Sequence, residues 1–326
     1  MKAAHAAALG RGARRASPAL LRLLGALVAL VAVMLIGALR NPEFLTPENV
    51  LNVLRQNAVL ALLAVGMTIV IVSGGIDLSV GSVLSFTSVL SVVLARYGIP
   101  VAVVGPVIAG IGLGLLNGFL VARLRLPPFI ATLAMLLALR GLTIAVFGEE
   151  TVPIKVGRAE FVAFGRAELL GVPMQVPVIV AAFLAGFLLL RYSRFGRAVH
   201  AIGGNEDSAR LLGIRVERTK TLVYAISGGL AGLAGVLFAA RISAGMTNYG
   251  LGLELDAITA VALGGTLLTG GVGGVGGTFI GVLLVGFLFN LFNIDASLNP
   301  FLQRVVRGLL LTIVVVLQGS LLLRRR

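Results

Sequence analysis

A chain of 326 residues that is 58% hydrophobic and only 12% charged has too few polar groups to cover the apolar surface of a soluble domain. A bilayer removes that requirement, so the composition excludes a water-soluble protein and predicts an integral membrane one. The formal net charge of +14 is carried in short segments between apolar runs, the pattern that orients a membrane protein and not that of a nucleic-acid binder, and the lack of cysteine excludes disulfides, thiolate nucleophiles and Cys-ligated metals.

Residues 1–19, with Lys2, Arg11, Arg14 and Arg15, form a basic tail expected in the cytoplasm. The apolar run 20–39 is long enough to span, and no A-x-A cleavage region comes before Arg40 and Pro42, so it reads as an uncleaved first helix and not as a signal peptide. A span needs about 20 mostly apolar residues. By that rule the chain is an all-α polytopic membrane protein with about ten transmembrane helices, near 20–39, 54–73, 80–96, 101–121, 128–147, 175–191, 219–240, 254–269, 275–293 and 303–323, in one domain covering 20–323. The weakest are 80–96 and 254–269, each of which crosses or is broken against protein, where its backbone is satisfied.

Ten crossings that start inside place Arg123, Arg125, Arg191, Arg194, Arg197, Arg210, Arg215, Arg218, Lys220 and the basic end 324–326 in the cytoplasm. Glu43, Glu48, Glu149, Glu150, Glu160 and Glu168 then lie outside, so both termini are expected to be cytoplasmic.

Residues 66–82 read GMTIVIVSGGIDLSVGS. Gly74 and Gly75 interrupt the helix, Ser79 and Ser82 suit the start of the next one, and Asp77 reads first as a cap and second as a transport group, because a carboxylate at membrane depth needs a partner or a cavity. Gly110, Gly114 and Gly118 recur every four residues, as do Gly277 and Gly281, with Gly228, Gly232 and Gly235 close to that spacing. Small residues so spaced let helices approach closely; sliding during gating is the alternative use of the same faces.

Residues 148–174 form a partly ordered external segment. In the cytoplasmic loop 192–218, Gly203 and Gly204 are expected to break the chain and Asn205 to cap a short amphipathic helix. Glu206, Asp207 and Ser208 suit its first turn, Ala209, Leu211, Leu212 and Ile214 are apolar, Arg210 and Arg215 flank them, and Gly213 ends the helix. This loop is either a connector packed on its own protein or a docking knob for a separate cytoplasmic protein. His5 and His200 read as surface histidines without a role.

The stretch GGTLLTGGVGGVGGT at 264–278, with Gly270 and Gly271, repeats the pattern of 66–82 and suggests a related hairpin in each half. No GxxxxGK[ST] occurs, so neither stretch is a nucleotide cradle. Candidates for a polar path are Asn57, Thr68, Asn117, Thr132, Asn248, Glu254, Asp256 and Asn290, with Gln56, Asn293 and Gln303 near them; Glu254 and Asp256 are expected opposite Arg304. These residues serve a substrate or satisfy one another, and the absence of tryptophan removes a Trp stacking platform. There is no catalytic or metal-ligating constellation: no HExxH, and no histidine inside a span.

Four segments carry a resemblance: SGGIDLSVGS (73–82), LNGFLVARLRLPPFIATLAMLLALRG (116–141), RYSRFGRAVHAIGGNEDSARLLGIRV (191–216) and ELDAITAVALGGTLLTGG (254–271). In this order and spacing the chain resembles the permease subunits of bacterial ribose-type sugar ABC importers over roughly 45–320. The N-terminal tail, 148–165 and the glycines after Gly271 depart from the pattern. The resemblance implies an inner-membrane permease, paired with a second permease subunit, working with two cytoplasmic ATPase subunits and an external sugar-binding protein to move a monosaccharide. ATP and Mg would belong to the ATPase, with no cofactor in this chain, and residues 205–214 would form the coupling helix. A permease of the same architecture for a nucleoside or other small polar solute, and a stand-alone secondary transporter, are the alternatives.

Overall fold

The computed structural model describes residues 18–154, 159–294 and 299–323. The expectations for the tail 1–17 and for the end 324–326 lie outside the described residues, as does the side chain of Arg304.

The first helix, α1 (Pro18–Arg40), is followed by α2 (Pro47–Gln56) and α3 (Ala58–Val72). Thr46 accepts the Asn49 amide at the start of α2, and Pro47 occupies a first-turn position that needs no amide donor. The expected single span 54–73 is therefore a pair of helices bent by 53° around Asn57. All residues of α3 are buried. Its apolar character on every face suits a helix surrounded by other helices.

After the break at 73–79, α4 (Val80–Leu94) ends in a 3-10 turn at Ala95–Tyr97. Ser82, Thr87 and Ser88 are buried in it, and each returns its hydroxyl to a backbone carbonyl three or four residues earlier, which lets a polar helix stay in the core. Next come α5 (Ile99–Ala122) and α6 (Pro128–Phe147); the latter coincides with the expected span 128–147.

The segment between α6 and α8 (Gln175–Tyr192) holds β1 (Val152–Pro153), α7 (Ala159–Arg166), β2 (Glu168–Leu169) and β3 (Val172–Pro173). Strands β2 and β3 form a small hairpin, while β1 pairs antiparallel with β4 (Ala244–Gly245). This strand pairing pins the loop to the end of α11 (Val216–Ile242).

Two helices, α9 (Arg194–Gly204) and α10 (Glu206–Leu211), join α8 to α11. The expected single helix between two glycine breaks is corrected here: Gly203 and Gly204 form the last turn of α9, and the break falls at Asn205, whose backbone is extended. Helix α12 (Leu253–Leu263) covers only part of the expected 254–269, and α13 (Val275–Ile294) and α14 (Pro300–Leu323) complete the bundle. At about 1.5 Å per residue α12 is too short to cross a bilayer as regular helix.

Helix α11 is the axis of the packing, lying against α5, α4 and α3. Side chains added at Gly110 or Gly114 of α5 would strike the backbone of Gly228 or Tyr224 of α11, so the four-residue glycine spacing seals one close helix crossing. Around this core α5, α6 and α8 turn Ile108, Leu137 and Leu184 outward. Among the described residues seven helices are long and apolar enough to cross a membrane, or eight if the bent α2–α3 pair counts as one.

Candidate translocation path and coupling loop

The two glycine breaks meet. Gly271 donates its amide to the Val72 carbonyl at 2.9 Å, joining the coil after α12 to the end of α3. Gly74, Gly270 and Gly271 all have positive φ, a conformation that favours glycine. The last turn of α9 lies on the same junction: a side chain at Gly203 would collide with the Val72 carbonyl and the Gly271 amide. Gly75 abuts Tyr224 of α11. The two hairpins inferred from repeated glycine patterns thus touch backbone to backbone, and Thr68 and Thr278 bridge their helices at 2.7 Å between hydroxyls.

Asp77 lies at this break and is 1% exposed. Its Oδ1 accepts the Ser79 amide at 3.1 Å and the Ser79 hydroxyl at 2.6 Å, and its Oδ2 accepts the Ser227 hydroxyl at 2.9 Å. Asn117 donates from Nδ2 to Ser79 Oγ at 2.8 Å. Thr132 donates to the Pro128 carbonyl at 2.8 Å, with the Ile76 carbonyl 3.2 Å away. Asp77, Ser79, Asn117 and Ser227 therefore cross-link the break to α5 and α11. Thr68, Asn117 and Thr132 are packed in this core and line none of the cavities described below.

At the opposite end of the bundle three other polar candidates, Asn57, Asp256 and Asn290, converge. A cavity of about 160 Å³ is lined by Gln56, Asn57, Tyr249, Asp256, Asn290 and Asn293 among others. Asn57 donates to the Val53 carbonyl at 2.8 Å, which fixes its amide at the bend between α2 and α3. Asn290 and Asn49 exchange hydrogen bonds at 3.0 and 3.2 Å, and Gln303 donates to Asn293 at 3.0 Å. A wider cavity of about 670 Å³, lined by Arg55, Arg166, Glu168 and Arg241, shares Gln56 and Tyr249 with the first, so the two are neighbours.

Tyr249 stacks on Phe238 with ring centroids 3.6 Å apart. It was not among the sequence candidates; its neighbour Asn248 was, but that residue is exposed and lines neither cavity. Glu254 is nearly buried, accepts the Gly252 amide at 3.3 Å and leaves Oε2 without a hydrogen-bond partner among the described residues. Arg140 acts on it electrostatically; its expected partner Arg304 has no described side chain.

The loop 194–215 has a fixed base and an exposed tip. Ser193 caps α9 by accepting the Gly196 amide at 2.9 Å, and Asn205 caps α10 by accepting the Ser208 amide at 2.7 Å. Ala209 is buried with Ile202 and Val216, and Ile214 packs on them. Glu206 ion-pairs with Lys220 and, at 3.4 Å, with Arg210, which also meets Glu217 at 3.2 Å. Gly213, at positive φ, turns the chain into α11. Leu211 and Leu212 are left 90% and 79% exposed.

The structure is an apolar multi-helix bundle with a polar cavity at one end and a capped turn with an exposed apolar tip at the other. Among the described residues there is no group of His, Cys, Asp and Glu suited to hold a metal ion. The chain belongs to the family described as "Branched-chain amino acid transport system / permease component", whose pattern matches residues 49–315. It is 41% identical over 300 residues to the ribose import permease protein RbsC of Escherichia coli (strain K12), covering 90% of this chain and 92% of the relative.

The Bacillus subtilis (strain 168) ribose import permease protein RbsC is likewise 41% identical, over 302 residues, with 90% and 92% covered. The L-arabinose ABC transporter permease protein AraH of Azospirillum brasilense is 36% identical over 280 residues, with 85% and 82% covered. No solved structure matches. The chain is thus a multi-pass inner-membrane permease component of an ABC importer.

Proposed function

We propose that this permease carries a monosaccharide inward, receiving it from an external binding protein and driven by a separate ATPase that binds ATP and Mg. The observation that carries the reading is the cavity lined by Gln56, Asn57, Asp256, Asn290 and Asn293. Amides and one carboxylate offer donors and acceptors to hydroxyl groups, while Tyr249 and Phe289 offer apolar faces to C–H groups. At about 160 Å³ the cavity suits one small polar solute and is well below the ~300–1,000 Å³ of drug-sized sites. The names of the ribose and arabinose permeases support a sugar over other small solutes.

In this reading α12 together with the coil that follows it makes one broken crossing and α14 another, which with the eight apolar crossings gives ten; both termini are cytoplasmic, residues 1–19 and 324–326 are basic ends of one transmembrane domain over 20–323, and the 148–174 segment is external. Two copies of the chain pair around the path. Residues 205–214 form the coupling helix, with Leu211 and Leu212 seated in the ATPase, while Gly74, Gly75, Gly270 and Gly271 form the joint at which the path opens and closes.

Two measurements test this. Leu211→Asp or Leu212→Asp is expected to abolish co-purification with the ATPase subunit while leaving the membrane fold intact; undiminished ATPase binding overturns the coupling assignment. Asn290→Leu, which keeps the branched shape but removes the amide, is expected to lower uptake of labelled pentose at least tenfold in an assembled complex. Normal uptake of the sugar by that variant would move the path elsewhere.

A further inference from the structure

A third cavity, of about 690 Å³, lies on the flank of the bundle at the end that carries α9 and α10. It is bounded by Leu23 of α1, by Phe187, Leu190 and Arg191 of α8, by Arg197 and His200 of α9, and by the coil and first turn of α13 at 271–277. Its wall has two chemistries. Leu23, Phe187 and Leu190 give it an apolar face, with Phe187 42% exposed. Arg191 and Arg197 stand with this face, and no carboxylate lines the cavity.

Among the described residues neither arginine is ion-paired; Arg197 reaches only the Tyr192 carbonyl, at 3.5 Å. Arginines that merely snorkel keep their stems on a convex helix surface and their heads in water. Here two uncompensated guanidinium groups share a concavity with an apolar wall at the ends of membrane helices. That combination complements a phosphodiester attached to hydrocarbon chains, since guanidinium donates paired hydrogen bonds to phosphate oxygens and basic pockets between membrane helices hold anionic headgroups.

We propose that this cavity binds the phosphate headgroup of an anionic phospholipid, with the acyl chains along Leu23, Phe187 and Leu190. The ring nitrogens of His200 lie 2.8 Å from the Gly196 carbonyl and 3.3 Å from the Gly273 carbonyl, so the lipid sits against the tie between α9 and the coil before α13. Its assignment to the cytoplasmic leaflet rests on the orientation proposed above. The site itself does not, because vesicles with the same lipid in both leaflets test it whichever way the chain faces.

The chain has no tryptophan, so a single indole reports on its own surroundings. Phe187→Trp is reconstituted in phosphatidylcholine vesicles into which brominated phosphatidylglycerol or brominated phosphatidylcholine is titrated. Leu137→Trp on α6, at a position 61% exposed toward lipid, is the control. Quenching at position 187 is expected at a lower mole fraction of the anionic lipid, by roughly fivefold for each arginine that meets the headgroup, with no preference at position 137.

Arg191→Ala with Arg197→Ala in the Phe187→Trp chain is expected to erase the preference. Equal quenching by both lipids at position 187, or a preference untouched by removing the two arginines, overturns the proposal. Loss of the preference on adding excess inorganic phosphate at constant ionic strength assigns the site to a soluble anion and overturns the lipid. Should the double variant fail to fold, the comparison of positions 187 and 137 in the otherwise unaltered chain still decides.

Discussion

At Asp77, Ser79 and Ser227 the chain buries a carboxylate at the cost of its hydration, and three donated hydrogen bonds offset that cost. The arrangement needs an acceptor toward Ser79 but tolerates a neutral group toward Ser227, whose hydroxyl both donates and accepts. Asp77→Asn is therefore expected to stay within about 1 kcal/mol of the parent, whereas Asp77→Ala, which strands buried hydroxyls, loses about 1–3 kcal/mol for each. Thermal unfolding in detergent separates the two; an Asn variant as unstable as the Ala variant would mean that the charge itself is required. The sequence offered Asp77 as a cap or a transport group and Ser79 as a cap for the start of the next helix; Ser79 makes no side-chain cap bond there and donates to Asp77 instead. Ser227 was not legible, since 150 residues intervene and a lone serine in an apolar helix gives no signal.

Among elements, the helices that read most plainly were those with uniform apolar runs and sharp ends, such as α6 between Pro128 and Gly148. The bend at Asn57 escaped because the expected span 54–73 joined the last turn of the largely polar α2 to the apolar run of α3. Gly203 misled for a physical reason: helix propensity counts glycine as a breaker, but the helix approaches Val72 so closely there that only a residue without a side chain fits, whereas Gly204 has open space beside it. The glycine spacing on α5 and α11 was legible as packing faces, though not which faces would meet.

If α10 is the coupling helix proposed above, its cap and its knob make separable contributions to ATPase binding. A lost Asn cap costs about 1 kcal/mol. Asn205→Ala should thus weaken ATPase binding by roughly fivefold or less, and Leu211→Asp should abolish it. Titration of the purified permease with the ATPase subunit checks the ordering; if the cap variant were as damaged as the leucine variant, the ordered turn and not its apolar tip would carry the interaction.

For the whole molecule, the proposed topology puts Leu170, 97% exposed in the 148–174 segment, and Leu211 on opposite sides of the membrane. The chain has no cysteine, so Leu170→Cys and Leu211→Cys each create a unique thiol. A membrane-impermeant maleimide is expected to label the first in intact cells and the second only in inverted vesicles; the reverse pattern would invert every span.

The overall class was legible because a bilayer imposes one simple rule on composition and run length. The site was only half legible: Asn57, Asp256 and Asn290 do gather around one cavity, but Thr68, Asn117 and Thr132 have the same polarity and are simply packed. Polarity alone does not distinguish a lining group from a packed one, and Asn117 is packed although its Oδ1 has no hydrogen-bond partner among the described residues.

At the junction of Val72, Gly203 and Gly271, main chain rests on main chain. Side chains elsewhere in a helical bundle act as compliant padding, able to change rotamer and absorb a small displacement. With none interposed here, any shift of the end of α9 would meet the backbone of both broken hairpins directly, without slack between them. A single added methyl at Gly203 would act as a wedge between three segments at once.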